Sequence, residues 1–287
     1  MLRLDSSSHP YKVMHTIQTS YPLSPKKTSY PLSPKTHIFM PQDEETIISF
    51  SSSSPQLREM CIQESSSDVN SDHVIDQQVF NIRMVNSKGR REAASLLIRK
   101  RYGWRGYSID PSSDNEPNRI ILVADTEGKT VATMTLCLDA DIGLPADENF
   151  SDKLDELRLR GRRLSEPSRL AIEDNIPKRV FASLIHISYI YAHNIFGFTD
   201  WVIEVNPRHA MFYKKMLGFE NFGEKRVCTR VNAPAVLLRL KLEYMSEQIR
   251  KFGGLMEQHG QEKSFYPYFF SPRDELGITG RLETGRT

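Results

Sequence analysis

Asn206-Pro207-Arg208-His209-Ala210-Met211-Phe212-Tyr213-Lys214-Lys215-Met216-Leu217-Gly218-Phe219 reads as a helix with both ends written into it. Asn206 supplies a side-chain oxygen to cap the first turn. Pro207 suits the first helical position, where its missing N–H would be unpaired anyway. Gly218 suits the left-handed residue that follows a last turn. Directly before this helix, Trp201-Val202-Ile203-Glu204-Val205 reads as an interior strand.

Working outward, residues 177–197 read as a long helix opened by proline and closed by glycine. Phe181, Leu184, Ile185, Ser188, Tyr191, Ala192 and Ile195 recur along it at helical spacing, so one face is buried. Residues 163–172 are extended, and the strand–helix–strand unit from 164 to 205 should be parallel and right-handed. Upstream, Ile120–Ala124 and Val131–Leu136 flank Asp125-Thr126-Glu127-Gly128-Lys129, which predicts an antiparallel hairpin. Phe80–Val85 alternates as a half-buried strand does, and 88–101 spaces Ala94, Leu97 and Ile98 on one helix face. Residues 235–242 give a last strand and 244–252 a helix. The aromatic run Phe265-Tyr266-Pro267-Tyr268-Phe269-Phe270 follows. Strand, helix, hairpin, strand, helix, strand, helix, strand predicts a mixed sheet with helices on both faces.

Residues 1–76 differ. They hold serine runs and the heptapeptide Ser20-Tyr21-Pro22-Leu23-Ser24-Pro25-Lys26, repeated without change at 29–35. Such composition buries too little apolar surface to offset backbone ordering, so it is expected to be a disordered leader. The expected division is leader 1–76, one domain at 77–245, and a helical and aromatic extension at 246–287 packed on it. Lys and Arg total 38 against 36 Asp and Glu, a balance that gives no reason to expect nucleic acid. No apolar run approaches the roughly 20 residues of a membrane span, and the N-terminus does not read as a secretory signal. The expectation is a cytoplasmic protein. Cys61, Cys137 and Cys228 are far apart and match no zinc spacing; no metal site is expected, and a reduced compartment is the simple reading.

The element order and the 206–219 helix resemble the GNAT acetyltransferase superfamily, in which a strand ends in Asn and the next helix carries Phe-Tyr and closes at Gly-Phe. Glu166-Pro167-Ser168-Arg169 resembles the Glu-x-Ser/Thr-Arg signature of acyl-homoserine-lactone synthases, which share that fold. The stretch from Phe80 to about Leu242, with the aromatic tail, is similar to the long-chain N-acyl amino acid synthases of the FeeM type. The resemblance implies an α/β, GNAT-like three-layer αβα fold around a mixed, mostly antiparallel sheet. It also implies an N-acyltransferase that moves a fatty acyl group onto an amino acid. Coenzyme A-dependent members carry a glycine loop whose amides cradle pyrophosphate. Here the junction is Ile172-Glu173-Asp174-Asn175-Ile176-Pro177-Lys178-Arg179, without glycine and with two acids. That favours an acyl-phosphopantetheine thioester on acyl carrier protein, with acyl-coenzyme A as second choice and no bound cofactor. Trp104-Arg105-Gly106-Tyr107 keeps the tryptophan of the lactone synthases but not their acidic spacing, which argues against lactone synthesis.

Acyl transfer to an amine needs a base for the amine, stabilisation of the carbonyl oxygen and departure of the thiolate. It needs no enzyme nucleophile. Glu166 is the candidate base, directly or through a water, since a carboxylate in an apolar cleft would have a raised pKa. A structural ion pair with Arg169 is the plainer alternative. Ser168 and Arg169 are candidates to position donor or carboxylate groups, and Arg suits a planar carboxylate. Tyr213 stands where many superfamily members protonate the leaving thiolate; core wall is its other role. Trp104 could wall an acyl pocket and Asn206 could contact substrate, though its position suits an N-cap. Arg158, Arg160, Arg162 and Arg163 form a basic run that could steer an acidic carrier protein, or be a solvated loop countering Asp152, Asp155 and Glu156. Two further readings remain at this stage: a coenzyme A-dependent N-acyltransferase on a small amine, and a non-catalytic acyl-binding module.

Overall fold

The structure is a computed structural model that describes residues 46–52, 78–85, 87–103, 116–229, 232–256 and 262–284. In chain order the strands are β1 (Thr46–Ser52), β2 (Gln78–Met84), β3 (Arg119–Thr126), β4 (Lys129–Leu138), β5 (Leu164–Ile172), β6 (Asp200–Val205), β7 (Glu220–Asn221), β8 (Arg226–Cys228) and β9 (Ala233–Lys241). The helices are α1 (Lys88–Gly103), α2 (Asp147–Leu159), α3 (Lys178–Tyr189), α4 (Pro207–Leu217), α5 (Leu242–Phe252) and α6 (Pro272–Glu283). The sheet order is β1-β2-β3-β4-β5-β6-β9-β7, with β8 also paired to β9. β5 and β6 are parallel, and the other described pairs are antiparallel. The expected αβα architecture is the one observed.

Alternation along the strands sorts side chains into two layers. Phe80, Leu122, Leu136, Trp201 and Leu238 meet Phe181, Phe212 and Met245 on one face. On the other, Ile121 and Val123 meet Ala94 of α1, while Cys137, Leu164, Val202 and Leu237 meet Phe150, Leu154 and Leu157 of α2. The β3–β4 hairpin turns on Glu127 and Gly128, at φ 49° and 75°. Two left-handed residues are what a two-residue hairpin turn requires.

α4 keeps the caps its sequence predicts. Asn206 Oδ1 accepts the Arg208 N–H at 3.2 Å, Pro207 begins the helix, and Gly218 lies at φ 84°. The long helix 177–197 is α-helical to Tyr189 and continues as a π-helical turn over Ile190–Ile195, with the Phe196 N–H bonded to Tyr191 O. Gly197 ends it at φ 67°.

Two expectations are corrected. The leader 1–76 is not wholly without structure: β1 pairs with β2, Ile47 is core, and the Phe50 ring lies 6.1 Å from Phe80 and 6.4 Å from Phe270. Three spaced apolar residues suffice to hold a strand whose neighbours are serine. The rest of the leader, with the repeated heptapeptide, lies outside the described residues. Between the hairpin and β5, where a charged loop was one reading, stands α2. Phe150, Leu154 and Leu157 are its buried face. Its C-terminal Arg158 is buried, with its guanidinium on Asp139 (2.7 Å), Asp147 (2.7 Å) and Asp155 (2.8 Å). Such a group presents no charge to a partner, so Arg158 is removed from any carrier-protein docking surface.

The C-terminal segment closes over the α3 layer. A 3₁₀ turn at Tyr266–Tyr268 buries Phe265, Tyr266, Phe269 and Phe270, and the Tyr266 hydroxyl donates to Leu217 O at 2.6 Å. No described helix is long and apolar enough to cross a membrane.

Candidate active site

β5 and β6 pair only at their first residues, Leu164 with Asp200 and Ser165 with Trp201. Beyond that point β5 pairs with β4 and β6 with β9, so the two parallel strands part. The sheet opens at Glu166, the first β5 residue past the last shared pair. An opening between parallel strands exposes backbone groups and brings side chains from both faces together, which suits it to hold an extended substrate.

Glu166 is 3% exposed, and its Oε2 accepts the Ala146 N–H at 2.8 Å. Ala146 caps α2, so the helix missing from the sequence reading is the element that holds this carboxylate. Glu166 lies beside Cys137 in the sheet register, and Cys137 lies beside Arg119 of β3. Ser168 shares the face of Glu166, with its Oγ 3.3 Å from Cys137 Sγ. Burial pushes the Cys137 thiol up to about 11, partly offset by Arg119, so the sulfur stays protonated at neutral pH.

Arg169 departs from its expected geometry. It sits at φ 51° in a β-bulge, where the register against β4 slips between Thr133–Ala171 and Thr135–Ser168. The bulge breaks the alternation that would place Arg169 opposite to Glu166, and turns Leu170 and Ile172 toward the α3 layer. Close by, the Tyr102 hydroxyl of α1 donates to Leu170 O at 2.6 Å. Tyr213, in the middle of α4, is half-buried against Phe212 and Phe219. Desolvation pushes its phenol well above the usual 10, and Tyr102 adds to the push.

The remaining sequence candidates divide. Asn206 uses its side-chain oxygen as the α4 cap. Trp104 lies outside the described residues. Arg162 is held by Asp200 at 2.5 Å, and Arg163 stacks its guanidinium 5.0 Å over Phe198. Arg160 is 65% exposed and donates to Glu156 Oε1 at 2.7 Å, one helical turn away on the surface, so it is more open to solvent than Arg158 or Arg162. The two acids of the β5–α3 loop are themselves engaged: Glu173 with Lys100 at 2.6 Å and Asp174 with Arg101 at 2.8 Å. They tie the end of α1 to the mouth of the opening. Sequence reading missed Arg119, Tyr102 and the Ala146 amide, because each reaches the site through strand register or a long-range contact.

A family model described as "N-acyl amino acid synthase FeeM" matches residues 93–241. The chain belongs to the FeeM family of N-acyl amino acid synthases. The matched span contains Glu166, Ser168, Arg169, Asn206 and Tyr213. The solved structure of FeeM, an N-acyl amino acid synthase from uncultured soil microbes, superimposes with a TM-score of 0.53 at 25% identity, over 58% of this chain and 92% of that one. Weaker likenesses include an N-acetyltransferase from Staphylococcus aureus (TM-score 0.40, 14% identity, 57% of this chain and 98% of that one). The AHL synthase LasI is another (0.41, 16%, 57% and 90%). No curated protein matches. Membership of the FeeM family makes this chain an enzyme, an N-acyltransferase.

Proposed function

We propose that this FeeM-family enzyme moves a long-chain fatty acyl group from acyl carrier protein to the amino group of an amino acid, by direct attack on the thioester. The observation that supports it best is the buried Glu166 carboxylate at the point where β5 and β6 part. A neutral amine nitrogen bonds to the thioester carbonyl carbon and the carbon–sulfur bond breaks. The surplus proton on nitrogen passes to Glu166, and the departing sulfur takes one from Tyr213, whose phenol is protonated at neutral pH. Solvent then exchanges the two protons. Ser168 and Arg169 position the donor, and the exposed Arg160 adds to the field that steers an acidic carrier. The β5–α3 junction supports a carrier-protein donor over coenzyme A, since it offers ion pairs in place of a glycine cradle.

The test compares acyl carrier protein and acyl-coenzyme A of equal chain length with an amino acid panel, products read by mass spectrometry. Turnover with the carrier protein, reduced at least about 100-fold in Glu166→Gln, is expected. Faster turnover with coenzyme A would overturn the donor, and a fully active Glu166→Gln would overturn the base. N-acylation of no amino acid would overturn the acceptor.

A further inference from the structure

Arg119 is a cation that its surroundings only partly satisfy. Its side chain is 10% exposed. Nε lies 2.7 Å and Nη2 2.5 Å from Glu116 Oε2, which fixes the plane of the guanidinium along one edge. Nη1 is buried and has no hydrogen-bond partner. A buried N–H on a charged group left unpaired is costly, and most such groups in folded proteins find a partner.

The sheet register says where that partner would sit. Arg119 pairs across to Cys137, and Cys137 pairs across to Glu166, so three side chains leave one face of three adjacent strands in a single row. Neighbours in such a row stand roughly 5 Å apart. The middle member is a protonated thiol, which leaves no anion between the cation and the base. A cation at one end of this row and a carboxylate at the other match a molecule that carries an acid and an amine on one carbon.

We propose that Arg119 binds the α-carboxylate of the acceptor amino acid through Nη1, and thereby holds its amine at Glu166. This rests on the amino-acid acceptor proposed above. It transfers the carboxylate-binding role from Arg169, at the bulge, to a residue outside the Glu-x-Ser-Arg signature. An amine without a carboxylate would lack the contact and bind less well, whatever its side chain.

The full-length enzyme is assayed with the amino acid it acylates fastest and with the carboxamide of that amino acid. Wild type should favour the acid by about 10- to 100-fold in kcat/KM, mainly through KM, as expected for one charge-assisted contact. Arg119→Met should raise KM for the acid by a similar factor, leave KM for the carboxamide near its wild-type value, and so erase the preference. Arg119→Lys should restore part of it. Equal use of acid and carboxamide by wild type would overturn the proposal without any variant, so a variant that fails to fold does not shield it. An equal rise in KM for both acceptors in Arg119→Met would overturn it too, since loss of the Glu116 contact alone acts on both. Wild type that acylates no amino acid and no carboxamide marks failure of the acceptor reading itself, a separate result that removes this proposal as well.

Discussion

Tyr213 has the packing of a wall residue and the protonation state of an acid. Desolvation holds its phenol above the ordinary value of 10, with Tyr102 second, so the proton is retained throughout the neutral range. Tyr213→Phe removes that proton and almost no volume. If the phenol protonates the leaving sulfur, the variant should keep the wild-type Tm while its single-turnover rate falls about 100-fold. The wild-type pH–rate profile should show no descending limb at the ordinary tyrosine value. A Tyr213→Phe rate within about threefold of wild type would leave Tyr213 as wall only. At this scale the sequence exposes Glu166 and Tyr213, because each stands in a short contiguous pattern. Arg119 sits 47 positions before Glu166 and is joined to it only through two successive strand pairings, β3 with β4 and β4 with β5. No spacing along one chain records such a row.

Among the elements, α2 and α4 differ in how openly their sequences announce them. α4 has an asparagine cap, a proline and a terminal glycine, so its bounds are legible. α2 has Ala146 at its cap with no side-chain bond, and its backbone leaves helical geometry at Phe150 (φ −134°). Its charged residues mask a three-residue apolar face, and so Arg158 reads as a loop cation. The structure makes Arg158 a buried hub, 5% exposed, for Asp139, Asp147 and Asp155. Removing one member of a buried charge network strands the others, so Arg158→Met should cost about 3–5 kcal/mol in chemical denaturation. Arg160→Met, on the exposed turn that follows, should leave the midpoint unchanged. Equal midpoints for the two would contradict the hub. In α4, Gly218→Ala forces a left-handed backbone onto a residue with a Cβ and directs that carbon into the Tyr244 ring. The ring is half out in solvent and can swing aside, so the backbone term of about 1–2 kcal/mol should dominate. Gly218→Ala should therefore lose about that much whether or not Tyr244 is also truncated, and full recovery in the Tyr244→Ala background would assign the loss to the ring instead.

Across the whole molecule, His186 joins the α3 layer to the C-terminal segment. Its ring is fully buried, stacked 5.0 Å from Phe269 and 5.2 Å from Phe270. Nδ1 accepts the Phe270 N–H at 3.0 Å, so Nε2 is the protonated nitrogen and donates to Glu275 Oε2 at 3.0 Å. Glu275 also accepts the Asn194 amide at 2.9 Å. A neutral imidazole satisfies both neighbours, whereas a proton on Nδ1 would break the bond to Phe270. Burial accordingly lowers the His186 pKa below 6.5, only partly offset by Glu275 and Asp274. The unfolded chain therefore takes up a proton near 6.5 that the native state refuses. The contribution of His186 to stability is full above 6.5 and declines as pH falls toward its native value, by at most about 1.4 kcal/mol per pH unit. Burial raises the Glu275 pKa, but the bonds from His186 and Asn194 outweigh it and leave the carboxyl below 4.5, so a second loss begins only below that value. The Tm should thus start to fall near pH 6.5, well before the carboxylates titrate. His186→Asn keeps an acceptor for the Phe270 N–H and has nothing to titrate; it should melt lower at every pH, with a flatter profile between about pH 7 and 5. Parallel profiles for the two proteins would show that the acid sensitivity arises elsewhere and that His186 joins the layers by packing alone.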